Sequence, residues 1–344
     1  MAYFIKQQLQ TAARTSNGNL SEVNLFRQMM SAFKFFYGAT VIVNETHQNY
    51  VGFDTTNPKT SSPEHNKTKE ISDLHIITYS PKLKIARETY LQAKVARGKD
   101  GLQSNGTFTF HGDWFQYDLL SRRPQLLHPS KKKAYWRLLC NPDFLHSALL
   151  PSIGSYGVFY LDQNNQIDFA YQPANVLNLQ TPYTTIGQFC INTNLHKYNS
   201  PNRIPDLQYS YDVDEFEYAV THNLLGSPLQ LCRYYPCYHN YRIFRDNVWA
   251  FLHRFNNDIR QIEEVIDGFF EFEHFIREYE ISFGRNDNVE RYSELTQFTQ
   301  YTQSTEYTEL PENNKEQINR NNEYNIDNLC KGPISLVLLN TDKL

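Results

Sequence analysis

The chain has 344 residues, 40% of them hydrophobic and 20% charged, with a formal net charge of −4. That composition can bury one large core or two modest ones, and it excludes a chain disordered throughout. No apolar run reaches the roughly eighteen residues of a membrane span, and the opening MAYFIKQQLQTAART lacks the apolar block of a signal peptide. Five scattered cysteines, Cys140, Cys190, Cys232, Cys237 and Cys330, fit reduced thiols in a cytoplasm better than a disulfide framework.

In chain order, residues 1–18 read as a polar lead-in. Over 21–37, Val23, Phe26, Met30, Phe33 and Phe36 recur at helical spacing, with Ser21 as N-cap and Gly38 just past the end. Glu22 lies in the first turn, where it either complements the helix dipole or points toward a site. A strand follows over 39–44. Residues 54–69, DTTNPKTSSPEHNKTK, read as a flexible polar loop able to gate a site.

Residues 70–97 then read as two strands joined by a short basic loop at 80–84. Asp73 opens the first strand, and Gln92-Ala93-Lys94 stands late in the second. Strand side chains alternate faces, so Glu88, Tyr90, Gln92 and Lys94 share one face while Leu91, Ala93 and Val95 form the packed one. A hairpin pairing brings Asp73 toward Lys94, because both lie away from the loop.

Beyond them come a Gly-containing loop at 98–106, a strand over 107–111 and a short helix over 113–122, ended by Pro124. Residues 155–173 read as a hairpin turning at 162–165. Residues 174–210 show little periodicity. The region 211–285 is helical, with Val248, Phe251, Phe255, Ile259, Ile262 and Phe269 in one apolar stripe that reads as a core or dimer face. Residues 286–325 are a polar, biased loop. Within 326–344, the apolar run 334–339 is a strand that returns to a sheet or joins a partner's sheet. The expected architecture is α/β, a mixed central sheet flanked by helices over 1–210, with an added helical region.

An acid on one strand and a lysine on the next suit metal-dependent phosphodiester hydrolysis. The carboxylate holds a hard cation, and the lysine holds and polarises the attacking water. The bland alternative makes Lys94 a solvated strand residue and Asp73 a strand-edge acid. Asp73 with Gln92-x-Lys94, set on two strands after an amphipathic helix carrying Glu22, resembles the PD-(D/E)XK superfamily of restriction-endonuclease-like nucleases. The likeness covers about the first third of the chain at the level of its motif.

The middle motif position in that superfamily is usually Glu or Asp, whereas this chain has Gln92, a weaker ligand. Gln-x-Lys variants occur among Mrr-like and phage-defence effector nucleases. The resemblance implies catalytic roles for Asp73, Gln92, Lys94 and Glu22. It also implies Mg2+ or Mn2+ held by Asp73, Gln92 and Glu22. The implied activity is that of an endonuclease acting on nucleic acid, DNA ahead of RNA, as an antiviral-defence effector or a restriction-type enzyme. The alternative is an inactive protein of the same fold that binds nucleic acid or a partner protein.

Charge is unevenly spread. Residues 82–137 hold twelve Lys/Arg against four Asp/Glu, whereas 258–316 hold fifteen acids against five basic residues. The basic segment suits a polyanion, since phosphate neutralisation supplies most non-specific affinity. Candidate contacts are Lys82, Lys84, Arg97, Lys99, Gln116, Arg122, Arg123, Lys131, Lys132 and Lys133. Cys232, Cys237 and His239 have zinc-ligand types but no fourth ligand at a convincing spacing. No phosphate-cradling G-x-x-x-x-G-K-[ST] or G-x-G-x-x-G loop occurs. The helical region and the terminal strand offer surfaces for a second copy or for a partner subunit of a defence complex.

Overall fold

The computed structural model describes residues 4–15, 21–43, 50–96, 106–129, 143–181, 183–192, 211–229 and 335–344, with six positions between 267 and 275. Helices α1 (Phe4–Thr15) and α2 (Glu22–Phe33) come first. Strands β1 (Ala39–Ile42), β2 (Tyr50–Thr56), β3 (Pro63–Glu70), β4 (Leu74–Ser80), β5 (Ile85–Val95) and β6 (Thr107–Asp113) follow, then helix α3 (Trp114–Arg122). The series continues with β7 (His128–Pro129), β8 (Gly154–Leu161), β9 (Ile167–Pro173), β10 (Asn178–Leu179), β11 (Ile186–Asn192) and β12 (Tyr211–Asp212). Helix α4 (Val213–Thr221), β13 (Ser227–Pro228) and β14 (Ser335–Asn340) complete it. No described helix is long and apolar enough to cross a membrane.

The central sheet has the order β1-β14-β4-β5-β8-β9-β12, with β13 against β5. β14 runs parallel to β4 and β5 parallel to β8, and the other neighbours are antiparallel. The chain is therefore a mixed α/β protein. Parallel neighbours need a crossover, and the one from β5 to β8 carries α3. Two three-stranded sheets, β10-β11-β6 and β3-β2-β7, stand beside the central one.

Alternation along β5 and β8 splits the core. Leu91, Ala93 and Phe159 pack with Leu25, Met29 and Phe33 of α2, Ile5 and Leu9 of α1, and Phe216 of α4. Tyr90, Tyr156 and Val158 pack on the opposite side with Phe110, Leu119, Leu120 and Phe189. Both faces of β4 and β5 are thus covered, which is why every residue of β4 is buried.

Several elements depart from the expectations. Residues 4–15 form α1 rather than a polar lead-in. Its first amides, Phe4 N and Ile5 N, donate to the Glu217 carboxylate at 3.1 and 3.0 Å, a cap delivered from α4. Residues 54–69 hold most of the hairpin β2/β3, paired from Tyr50↔Glu70 to Thr56↔Pro63. β3 is polar along its length, so no apolar alternation marks it. Residues 211–229 pack in the central core through Val213, Phe216 and Val220 of α4, not in a separate helical unit. Residues 230–266 and 276–334 lie outside the described residues, and with them most of the expected helical region and the polar loop.

The terminal apolar run forms β14, inserted between β1 and β4 of the chain's own sheet. Gly38, at φ +82°, turns the chain from α2 into β1.

Glu217→Ala removes the acceptor of two amides at the start of α1. We expect a loss of about 2 kcal/mol in urea unfolding. An unchanged midpoint would mean that α1 holds its place without this cap.

Candidate active site

Helix α2 starts with Glu22. Ser21 caps it, accepting from Asn24 N at 3.1 Å, and the buried stripe Leu25, Met29, Met30 and Phe33 fixes the helix on the sheet. Glu22 is thereby held at the helix end beside β5. Asp73 precedes β4 by one residue, and its N–H closes the hairpin ladder on Leu91 O at 3.1 Å. β4 begins opposite Leu91, so Gln92, Ala93, Lys94 and Val95 run on past it with β8 on one side only.

Side chains fill the gap left by the missing strand. The Asp73 carboxylate (Oδ2) accepts from Ala93 N at 2.7 Å and from the Gln92 amide nitrogen. Lys94 Nζ donates to Ala93 O at 2.7 Å and to Glu22 Oε1 at 3.2 Å. Gln92 Oε1 in turn accepts from Gln116 Nε2, which also donates to Glu70 O at 3.2 Å. The four residues expected to act together are thus joined into one network. Asp73 and Lys94 do not pair directly; they meet through the two ends of residue 93. Lys94 is 16% and Glu22 36% exposed at the side chain, whereas Gln92 is buried, so the network opens to solvent on the Glu22 side.

Gln116 was an expected phosphate contact on a surface helix. It is instead buried at the foot of α3, because Asp113 caps the helix by accepting from Gln116 N at 2.9 Å and turns that residue inward. Arg122 is engaged by Asp118 through two bonds of 2.9 and 2.7 Å, and by Asp54 O at 2.6 Å. Arg123 ends α3 in the left-handed region and donates to Ala148 O at 3.0 Å; burial draws its pKa down. Lys82 and Lys84 are exposed in the turn between β4 and β5. That turn lies at the far end of the hairpin from Lys94, since nine residues from Ile85 to Lys94 span ~30 Å. Arg97, Lys99, Lys131, Lys132 and Lys133 lie outside the described residues, as do Cys232, Cys237 and His239.

The sequence reading missed Lys67, Lys69 and Tyr156. Lys69 Nζ donates to Asp113 Oδ2 at 2.5 Å, and Lys67 Nζ lies 3.8 Å from the centre of the Phe115 ring. Both sit on the polar strand β3. Tyr156 stands opposite Gln92 across the β5/β8 pair. Its fully buried hydroxyl has no hydrogen-bond partner among the described residues, and burial, then Asp113, Tyr117 and Asp73, push its pKa well up, so it stays neutral.

Asp73, Glu22 and Ala93 O are oxygen donors, the type that a hard cation such as Mg2+ takes, whereas Gln92, expected as a ligand, turns its nitrogen to Asp73 and its oxygen to Gln116. In donor chemistry these residues fit that ion, with two carboxylates among them. No group of three or more His, Cys, Asp and Glu able to hold a metal forms among the described residues. No protein-family model, curated protein or solved structure matches the chain.

Gln116→Leu keeps the volume of the side chain but leaves Gln92 Oε1 and Glu70 O without this donor. The expected cost is about 2 kcal/mol in chemical denaturation. A change below about 0.5 kcal/mol would show that the contact carries no weight.

Proposed function

We propose that this chain is a metal-dependent nuclease that hydrolyses phosphodiester bonds, in DNA before RNA. One observation carries the reading. Glu22, Asp73, Gln92 and Lys94, from the start of a helix and the open ends of two adjacent strands, form a single hydrogen-bonded network. The crossover from β5 through α3 to a parallel β8 supports it, because α3 supplies Gln116 behind Gln92.

Asp73 and Glu22 are the residues that would hold a divalent ion. Bound there, Mg2+ or Mn2+ would supply a lowered water pKa and neutralise charge on the phosphate. Lys94 presents its ammonium beside Glu22, where it can donate to a phosphate oxygen or to the attacking water. Gln92 keeps the Asp73 carboxylate aimed, and Gln116 keeps Gln92 aimed. Gln92 also favours a second reading, a nuclease-fold protein that binds nucleic acid without cutting it, since its amide carries no charge toward a metal.

Incubation of the full chain with duplex DNA and with RNA separates the two. We expect cleavage with Mg2+ or Mn2+ that stops on chelation. Asp73→Ala and Lys94→Ala should each lower the rate by about 100-fold or more, and Gln92→Ala by less. Retention of duplex without cleavage would favour the second reading. Full activity of Lys94→Ala, with its circular dichroism unchanged, would remove Lys94 from the mechanism.

A further inference from the structure

Each group of the donor set given above already has an oxygen engaged by a protein donor. Asp73 Oδ2 accepts from Ala93 N and from the Gln92 amide. Ala93 O and Glu22 Oε1 share the Lys94 ammonium, at 2.7 and 3.2 Å. Gln92 Oε1 accepts from Gln116, which is itself anchored on Glu70 O. A glutamate at position 92 would set a second carboxylate against Asp73 and call for a cation between them. Gln92 sets a donor there. The amide does at rest what a cation does in a site of paired carboxylates.

Two consequences follow. The resting site needs no metal to hold its shape. A metal drawn to Asp73 Oδ2, Ala93 O or Glu22 Oε1 competes there with the Gln92 amide or the Lys94 ammonium, and Asp73 and Glu22 are the carboxylates of the network that offer it charge. Affinity for hard cations rises with the number of charged ligands, and Mg2+ in particular is bound by one or two carboxylates together with substrate phosphate.

We propose that this site takes up its divalent cation only together with the phosphate of a bound nucleic acid, and that Gln92 imposes that order. The inference rests on the nuclease reading. It adds a form of regulation to that site: Lys94 is drawn from Ala93 O and Glu22 to the incoming phosphate, and the oxygens it leaves then become ligands.

The test is a Mn2+ titration of the full chain, with free Mn2+ read by electron paramagnetic resonance. It is run with and without a DNA duplex of phosphorothioate linkages, which resists cleavage; the duplex alone and Asp73→Asn serve as controls. Wild type alone should bind Mn2+ on the order of millimolar or more weakly. The duplex should tighten that by about tenfold or more beyond the ions it holds itself, and Asp73→Asn should abolish the gain. Gln92→Glu should bind Mn2+ about tenfold more tightly than wild type with no duplex present. Micromolar binding by wild type alone, equal to that of Gln92→Glu, overturns the inference and leaves the nuclease reading standing. Failure of the chain to bind the duplex, with or without Mn2+, overturns the nuclease reading itself.

Discussion

The N–H and C=O of Ala93 decide the geometry of this site. Along β5, Leu91 still has a strand partner in β4, but two residues later that strand has not yet begun. The N–H and C=O of Ala93 face the vacant side in a buried setting, and buried backbone groups must be paired. Asp73 accepts from the N–H and Lys94 donates to the C=O. The same two side chains complete the sheet and, with Glu22, supply the charges of the site. Each bond contributes about 1 kcal/mol net, and leaving either group unmet costs about 1–3 kcal/mol, so Asp73 and Lys94 are held by backbone need as well as by charge.

Charge balance explains why the middle residue is an amide. Two unit charges 4 Å apart interact by about 4 kcal/mol at an effective dielectric of 20, and a second carboxylate against Asp73 would be at least that close. The Gln92 amide turns that repulsion into a hydrogen bond. Its orientation is not left free. Gln116 can only donate through Nε2, so Gln92 must turn its oxygen to α3 and its nitrogen to Asp73. The cap at Asp113, which sets Gln116 inward, is thus the first link in a chain of orientation that ends at the Asp73 carboxylate.

Local patterns made much of this legible in the sequence. The Ser21 cap with its apolar stripe, the alternation of 85–95 and the hairpin of 155–173 each declare themselves within a few residues, and each stands in the structure near its expected place. The hairpin pairing likewise set the 80–84 loop away from Lys94, while Lys82 and Lys84 on that loop read as candidate phosphate contacts. What could not be read depends on distant partners. α1 gives Ile5 and Leu9 to the core, with Phe4 packed against it, and takes its cap from Glu217, more than 200 residues away. β3 is polar because it lies at the edge of a small sheet and rests on Phe115 through Lys67. Gln116 reads as a surface residue on a short helix until the position of Glu70 O and Gln92 is known.

Register is the remaining condition, and a second buried polar pair bears on it. His75 and Glu88 lie 3.0 Å apart, Nε2 to Oε2, both buried, and the His75 ring stacks on Tyr90 at 4.3 Å. His75 stands opposite Tyr90, and Asp73, two residues earlier, shares its face. A slip of one residue would turn His75 and Asp73 to the face packed under α2. A slip of two would part His75 from Glu88 and leave each without this partner inside the core. Breaking a buried pair costs about 3–5 kcal/mol, far more than an apolar strand would lose by sliding. The pair makes every register costly except the one that sets Asp73 beneath Ala93. A sheet buried on both faces needs such a device, because apolar residues on either side would accept a shifted partner nearly as well as the right one.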